Sequence, residues 1–240
     1  MFSTEHFIWI GICIVFIVSL SIISIKKNMN FHKASIIMAL IALVSEISKI
    51  MSDMTFVNGE DCLDGMVLTP GSLPLHLCSM LIFAYFYLPF AKNDKLKKYL
   101  LGIIVPIGLI GGALAILIAT NGTGFDNIAP YQCFIYHAGM IWYSIYLIGT
   151  KKVELGKKVW LTNLGTLFSM SFVMLWVNAA LKEYDTNFWF VVRPPRSGLP
   201  ILNLDNGWYV YFLTLLCLGF IGITLVHLPF VIKEFKNKNN

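Results

Sequence analysis

The stretch FIWIGICIVFIVSLSIISI, residues 7–25, decides the fold class. It holds no charge, and Lys26 and Lys27 follow it at once. An α-helix rises about 1.5 Å per residue, so about 20 apolar residues cross the ~30 Å hydrocarbon layer of a bilayer. Only a helix or a closed barrel satisfies its own backbone there, and the run has no period-2 alternation that would suit a strand. A cleaved leader would begin with basic residues and end in small ones. Here Glu5 and His6 precede the run, and no small-residue cleavage site follows. The run therefore reads as a retained helix whose Lys pair marks the cytoplasmic end.

Six more apolar runs follow, at 34–51, 74–90, 99–119, 131–149, 159–181 and 208–232. The third is the shortest, and the fourth contains Pro106 and the pair Gly111–Gly112. The predicted fold is an all-α, polytopic membrane bundle of about seven transmembrane helices forming a single domain over 1–240. No internal repeat suggests an inverted-repeat transporter.

Composition agrees with this reading. Of 240 residues, 57% are hydrophobic and only 13% charged, about half the charged fraction of a soluble domain. The net charge of +5 does not signal nucleic acid, because the basic residues fall in short clusters between apolar runs with no aromatic platform among them. Those clusters set the orientation. Fourteen of the 18 Lys and Arg residues lie in the links after the first, third and fifth helices and in the tail. The opposite links hold only Lys182, Arg193 and Arg196. The positive-inside rule thus predicts an N-terminus outside and a C-terminus in the cytoplasm, in a multi-pass protein of the cell membrane.

The two longest links, 52–73 and 182–207, fall on the predicted outer side. The first is acidic, with Asp53, Glu60, Asp61 and Asp64; the second contains Arg193-Pro194-Pro195-Arg196. Long links of this kind serve as lids or binding loops, or as plain connectors. The five cysteines form no CxxC pair and no zinc-ligand spacing. Cys62 and Cys133 both fall at the predicted outer side, which leaves a disulfide between them open, though position alone does not establish its geometry.

Polar residues inside apolar runs carry the chemical information, because each costs free energy in hydrocarbon. Glu46, Lys49 and Asp53 are spaced three and four apart, on one face of the second helix. They read either as a structural ion pair that locks the bundle or as one polar wall of a substrate cavity. The third run opens LPLHLC, residues 73–78, with Pro74 suited to a first helical turn and Cys78 near the positive end of the helix dipole. His76 is two residues from Cys78, so the two side chains leave a regular helix in different directions. His137 on the fifth helix comes to a similar depth as Cys78, as do Glu46 and Asn178. A Cys beside a His is the minimal set for nucleophilic acyl transfer, in which the His takes the thiol proton and the thiolate attacks a carbonyl. Taken singly, a membrane His is more often a helix-bridging donor and a membrane Cys a packing residue.

The string Leu73-Pro74-Leu75-His76-Leu77-Cys78 resembles the signature of the YwaF-like family of integral membrane proteins. So does Asn187-Phe188-Trp189-Phe190-Val191-Val192-Arg193-Pro194-Pro195, followed by Asn206-Gly207-Trp208-Tyr209-Val210-Tyr211. Arg193 stands where the pattern has Lys, and Gly207-Trp208 replaces a longer Gly-Pro-Trp-Pro stretch. The resemblance covers nearly the whole chain. A eukaryotic branch of similar architecture is described as a lipid acyltransferase that uses a Cys and a His on two helices. The resemblance implies those roles for Cys78 and His137 and a phospholipid acyl chain as substrate. His76, Glu46, Lys49, Asn178 and Arg193 are the candidate substrate-binding residues around them. Two other readings stay open: a lipid or small-molecule transporter whose path these residues line, and a structural or assembly factor. The expected partner is a membrane lipid and not nucleic acid, and nothing in the sequence indicates a metal or an organic cofactor.

Overall fold

The computed structural model describes residues 2–53, 55–57, 65–68 and 70–238. Seven helical rods succeed one another among these residues. They are α1 (Thr4–Lys26), α2 (Phe31–Asp53), α3 (Leu77–Tyr87), α4 (Asp94–Ile118), α5 (Ile128–Gly149), α6 (Lys157–Ala180) and α7 (Trp208–Lys238). Five of them, α1, α2, α4, α6 and α7, are long and apolar enough to cross a membrane. α3 is shorter and is prolonged by a tight turn, Leu88–Phe90.

Several helices begin before their apolar runs, because polar caps outside the hydrocarbon set the start. Ser3 accepts from the His6 N–H, Asn93 from the Leu96 N–H, and Asn127 from the Ala129 N–H. The third helix does the opposite. It starts at Leu77, not Pro74, because the Leu75 N–H turns back to the Leu73 carbonyl at 2.7 Å and breaks the first turn. His76 is consequently the cap residue, and Cys78 is the second residue of the helix. The link between α2 and α3 carries a small antiparallel hairpin, β1 (Thr55–Val57) with β2 (Gly65–Val67), Thr55 opposite Val67. Three-residue strands are too short to show a period in sequence. Cys62, with Glu60, Asp61 and Asp64, lies outside the described residues, and so does the pairing of Cys62 with Cys133.

α5 is the axle of the bundle. It packs against α1, α2 and α4, and Phe134, Tyr136, Met140, Trp142, Tyr143, Tyr146 and Leu147 on it are all buried. A helix shielded from lipid can carry polar tips, provided each finds a partner. The Tyr143 and Ser35 hydroxyls are 2.7 Å apart, the Tyr146 hydroxyl donates to the Met29 carbonyl at 2.9 Å, and the Trp142 indole donates to Ser24 Oγ at 3.3 Å. The outer helices are the reverse: α1 exposes Ile8, Ile12, Val15 and Ile22, the surface a hydrocarbon solvent requires.

α4 changes winding midway. It is regular over Asp94–Pro106, π-helical over Ile107–Gly111, and regular again over Gly112–Ile118. Pro106 has no N–H, so the Gly102 carbonyl four residues back loses its helical donor. Asn163 of α6 replaces it, donating through Nδ2 at 2.8 Å. Gly108 and Gly112 then let α4 lie close on α5, in the small-xxx-small spacing of membrane helix pairs. A Cβ on Gly108 would stand 2.9 Å from the Met140 carbonyl oxygen, and one on Gly112 would stand 3.0 Å from that of His137.

The lysine-rich links gather at one end. Lys97 sits over the Phe31 ring, Lys98 pairs with Glu154 at 3.5 Å, and Glu234 near the tail accepts from the Lys157 N–H at 3.0 Å. At the opposite end His6 meets the Ile116 carbonyl, Trp9 stacks on Phe134, and the long link 182–207 closes over the start of α3.

Candidate functional site

Cys78 sits in the first turn of α3, half-buried, with its sulfur against the π-helical part of α4. A Cβ on Gly111 would lie 3.8 Å from its Sγ. The next residue, Gly112, is the one that abuts the His137 carbonyl. One two-residue step of α4 therefore touches the Cys-bearing helix on one side and the His-bearing helix on the other. The two helices also bond directly: the hydroxyl of Tyr136, next to His137, donates to the Cys78 carbonyl at 2.7 Å. π-Helical turns of this kind recur at functional sites.

His137 is buried, and its hydrogen bonds fix its tautomer. Nδ1 lies 2.6 Å from the Cys133 carbonyl oxygen, one turn back on α5. A carbonyl only accepts, so in the neutral ring Nδ1 carries the proton. Nε2 is then the nitrogen with the lone pair, the form a general base needs. The Cys133 sulfur stands 3.6 Å from Nδ1, and no hydrogen bond joins His137 to Cys78 among the described residues.

The other sequence-predicted residues fall into two groups. Glu46 and Lys49 form the expected ion pair, at 3.1 Å, with their side chains only 15% and 14% exposed. α2 packs against both α3 and α5, so its charged face borders this neighbourhood. Beside it Gln132 donates to Ser45 Oγ at 2.7 Å, tying α5 to α2. His76 makes no side-chain cap. Its ring lies against Phe188 and Phe190, with centroids 5.2 and 5.6 Å away.

Asn178 and Arg193 work on the long link instead. Asn178 donates to the Met174 and Phe188 carbonyls and accepts from the Phe188 N–H at 2.8 Å. Its amide is committed to the protein's own backbone. Arg193 holds Asp185 through two bonds of 2.6 and 2.7 Å, and Asn187 accepts from the Val192 and Arg193 N–H groups. These brackets keep Trp189 and Phe190 in the left-handed region, at φ 58° and 54°, where bulky side chains are rare. They also frame a cavity of about 310 Å³ lined by Asn178, Lys182, Asp185, Thr186, Arg193 and Trp208. Cys78 and His137 are not among its walls. Leu77, next to Cys78, lines a separate narrow apolar crevice with Ile103, Ile107, Leu167 and Ile223.

Sequence reading missed Tyr85 and Tyr136, and named Cys133 only as a disulfide candidate. The one available signal was the density of Tyr and Trp in the fifth run, which marks a helix too polar to face lipid. It does not say which hydroxyl reaches which helix.

Fold and site together define a polytopic helical membrane protein, with a Cys and a His brought to one glycine step inside the bundle. The TMEM164 family, a family of transmembrane proteins, matches residues 1–226. The chain belongs to that family. No curated protein and no solved structure matches it significantly.

Proposed function

We propose that this protein transfers or hydrolyses acyl esters of membrane lipids through a thioester on Cys78, with His137 as general base. The observation that carries the reading is the Gly111–Gly112 step, which packs against Cys78 Sγ and the His137 backbone at one depth. The His137 tautomer adds to it, because Nδ1–H is spent on the Cys133 carbonyl and Nε2 keeps its lone pair. In this scheme His137 removes the thiol proton and the thiolate attacks the ester carbonyl. The glyceryl oxygen leaves with the proton from His137, and an alcohol or water then resolves the thioester. Glu46 and Lys49 give α2 a charge-paired polar face, the Gln132–Ser45 bond ties α2 to α5, and His76 with Phe188 and Phe190 closes the outer edge of the site. Arg193 and Asn178 shape the link above it. We place the N-terminus and this end of the bundle outside the cytoplasm, in the cell membrane, on the strength of the lysine distribution.

The test is mass-spectrometric labelling of the purified protein with an acyl-mimicking electrophile, following Cys13, Cys78, Cys133 and Cys217 in parallel. Cys78 should label fastest, and His137→Ala should slow it while His76→Ala slows it less. If Cys78 labels no faster than Cys217, or if His137→Ala leaves the rate unchanged, lipid binding or transport without covalent chemistry replaces this reading.

A further inference from the structure

Four buried tyrosines, Tyr85, Tyr136, Tyr143 and Tyr146, form a continuous chain of ring contacts between α3 and α5, edge-to-face at Tyr85 and stacked from Tyr143 to Tyr146, with neighbouring centroids 5.8 to 6.5 Å apart. Three of their hydroxyls are satisfied: Tyr136 by the Cys78 carbonyl, Tyr143 by Ser35 and Tyr146 by the Met29 carbonyl. The fourth is not. Tyr85 is 1% exposed, and its hydroxyl is buried with no hydrogen-bond partner among the described residues. A buried phenol without a partner costs free energy, and such groups persist where a function uses them.

Its position suggests the use. Tyr85 and Cys78 are seven residues apart on α3, two turns along one face. A helical Tyr leans back toward the helix N-terminus, which here is the Cys78 end. The rise between the two residues is roughly 10 Å before that lean. Tyr85 is buried in the core cluster against which Cys78 packs. Tyr136, the phenol in edge contact with Tyr85, already donates to the Cys78 carbonyl.

We propose that the Tyr85 hydroxyl is the oxyanion donor of the acyl-transfer site, a catalytic residue that binds the carbonyl oxygen of the acyl group reacting at Cys78. This rests on the acyl-transfer reading. When the Cys78 thiolate adds to the ester carbonyl carbon, the π electron pair moves to oxygen. The Tyr85 O–H donates to that oxyanion without being transferred. Collapse restores the C=O and expels the glyceryl oxygen, which takes the proton held by His137. Tyr85 is then free again, and the same donor serves the second addition, when an alcohol or water attacks the thioester.

The experiment compares two electrophiles on wild type and Tyr85→Phe. One is a p-nitrophenyl acyl ester, which reacts through a tetrahedral oxyanion; the other is iodoacetamide, which reacts by displacement and forms none. Tyr85→Phe should slow acylation of Cys78 by about 10²–10³-fold, the usual loss for one oxyanion donor. Alkylation by iodoacetamide should stay within about twofold of wild type. The unfolding temperature should be unchanged or higher, because Phe removes a buried hydroxyl that bonds to nothing. Equal acylation of wild type and Tyr85→Phe overturns the proposal while leaving Cys78 as the nucleophile. Parallel loss of acylation and alkylation, or a lowered unfolding temperature, assigns Tyr85 a structural role and also overturns it. No acylation of Cys78 in wild type removes the acyl-transfer reading itself, and the proposal with it.

Discussion

Glu46 and Lys49 are one turn apart on α2, and their side chains meet at 3.1 Å, mostly out of water. Either charge alone in the middle of a membrane helix costs about 2.5–3.5 kcal/mol on insertion scales. Together they neutralise each other, so the damage from a substitution depends on what is left behind. Lys49→Ala leaves the Glu46 carboxylate unpaired beside Tyr136, a change that costs about 3–5 kcal/mol for a buried pair and less for one that is partly wet. Glu46→Gln combined with Lys49→Ala removes both charges. Thermal unfolding in detergent should therefore rank Lys49→Ala below the double variant. Simple additivity of the two single losses would show that the charges do not depend on each other. Asn178 and Arg193 illustrate the opposite case: each is a candidate from sequence, yet each is occupied by the long link.

At the scale of the element, α4 decides the geometry of the site. Pro106 frees the Gly102 carbonyl, Asn163 captures it, and the turn that follows is π-helical with Gly111 and Gly112 at its end. That sequence of causes gives a direct test. Asn163→Ala should lower stability by about 1–3 kcal/mol, the cost of a buried carbonyl without a donor. Pro106→Ala supplies an N–H that can bond the same carbonyl, so in that background Asn163→Ala should cost clearly less. Equal costs in both backgrounds, measured as unfolding in detergent, would separate Asn163 from the proline kink. α3 makes a related point, since a tight turn at Leu73–Leu75 delays its start and leaves Cys78 in the first turn.

For the whole molecule, the contacts Lys97 to Phe31, Lys98 to Glu154 and Lys157 to Glu234 collect the basic links and the tail at one end. Seven crossings, the arrangement expected from the sequence, would put the two termini on opposite sides. A reporter fused after residue 240 should read cytoplasmic, and a tag before Phe2 should be reachable from outside the cell. Access to both ends from one side would remove the seven-crossing arrangement, α3 being the helix in question because of its length.

That the chain is a helical membrane protein, where most of its helices lie, and that Glu46 and Lys49 share one helix face were all legible in the sequence. Each of these depends on local facts: the length of an apolar run, a cap residue, a three-residue spacing on one helix. It also marked Cys78 and His137, through a short string and through depth along parallel helices. What those residues touch emerges only when the helices pack. Which nitrogen of His137 keeps its lone pair follows from the bend of its ring onto the Cys133 carbonyl. Whether Tyr136 or Tyr85 has a free hydroxyl depends on which helix faces it, and helical periodicity fixes a face without naming its neighbour. The close approach of α4 to α3 and α5 needs both the proline-induced change of winding and glycines on the inner side. Those two features carry no signal of contact until the helices are packed.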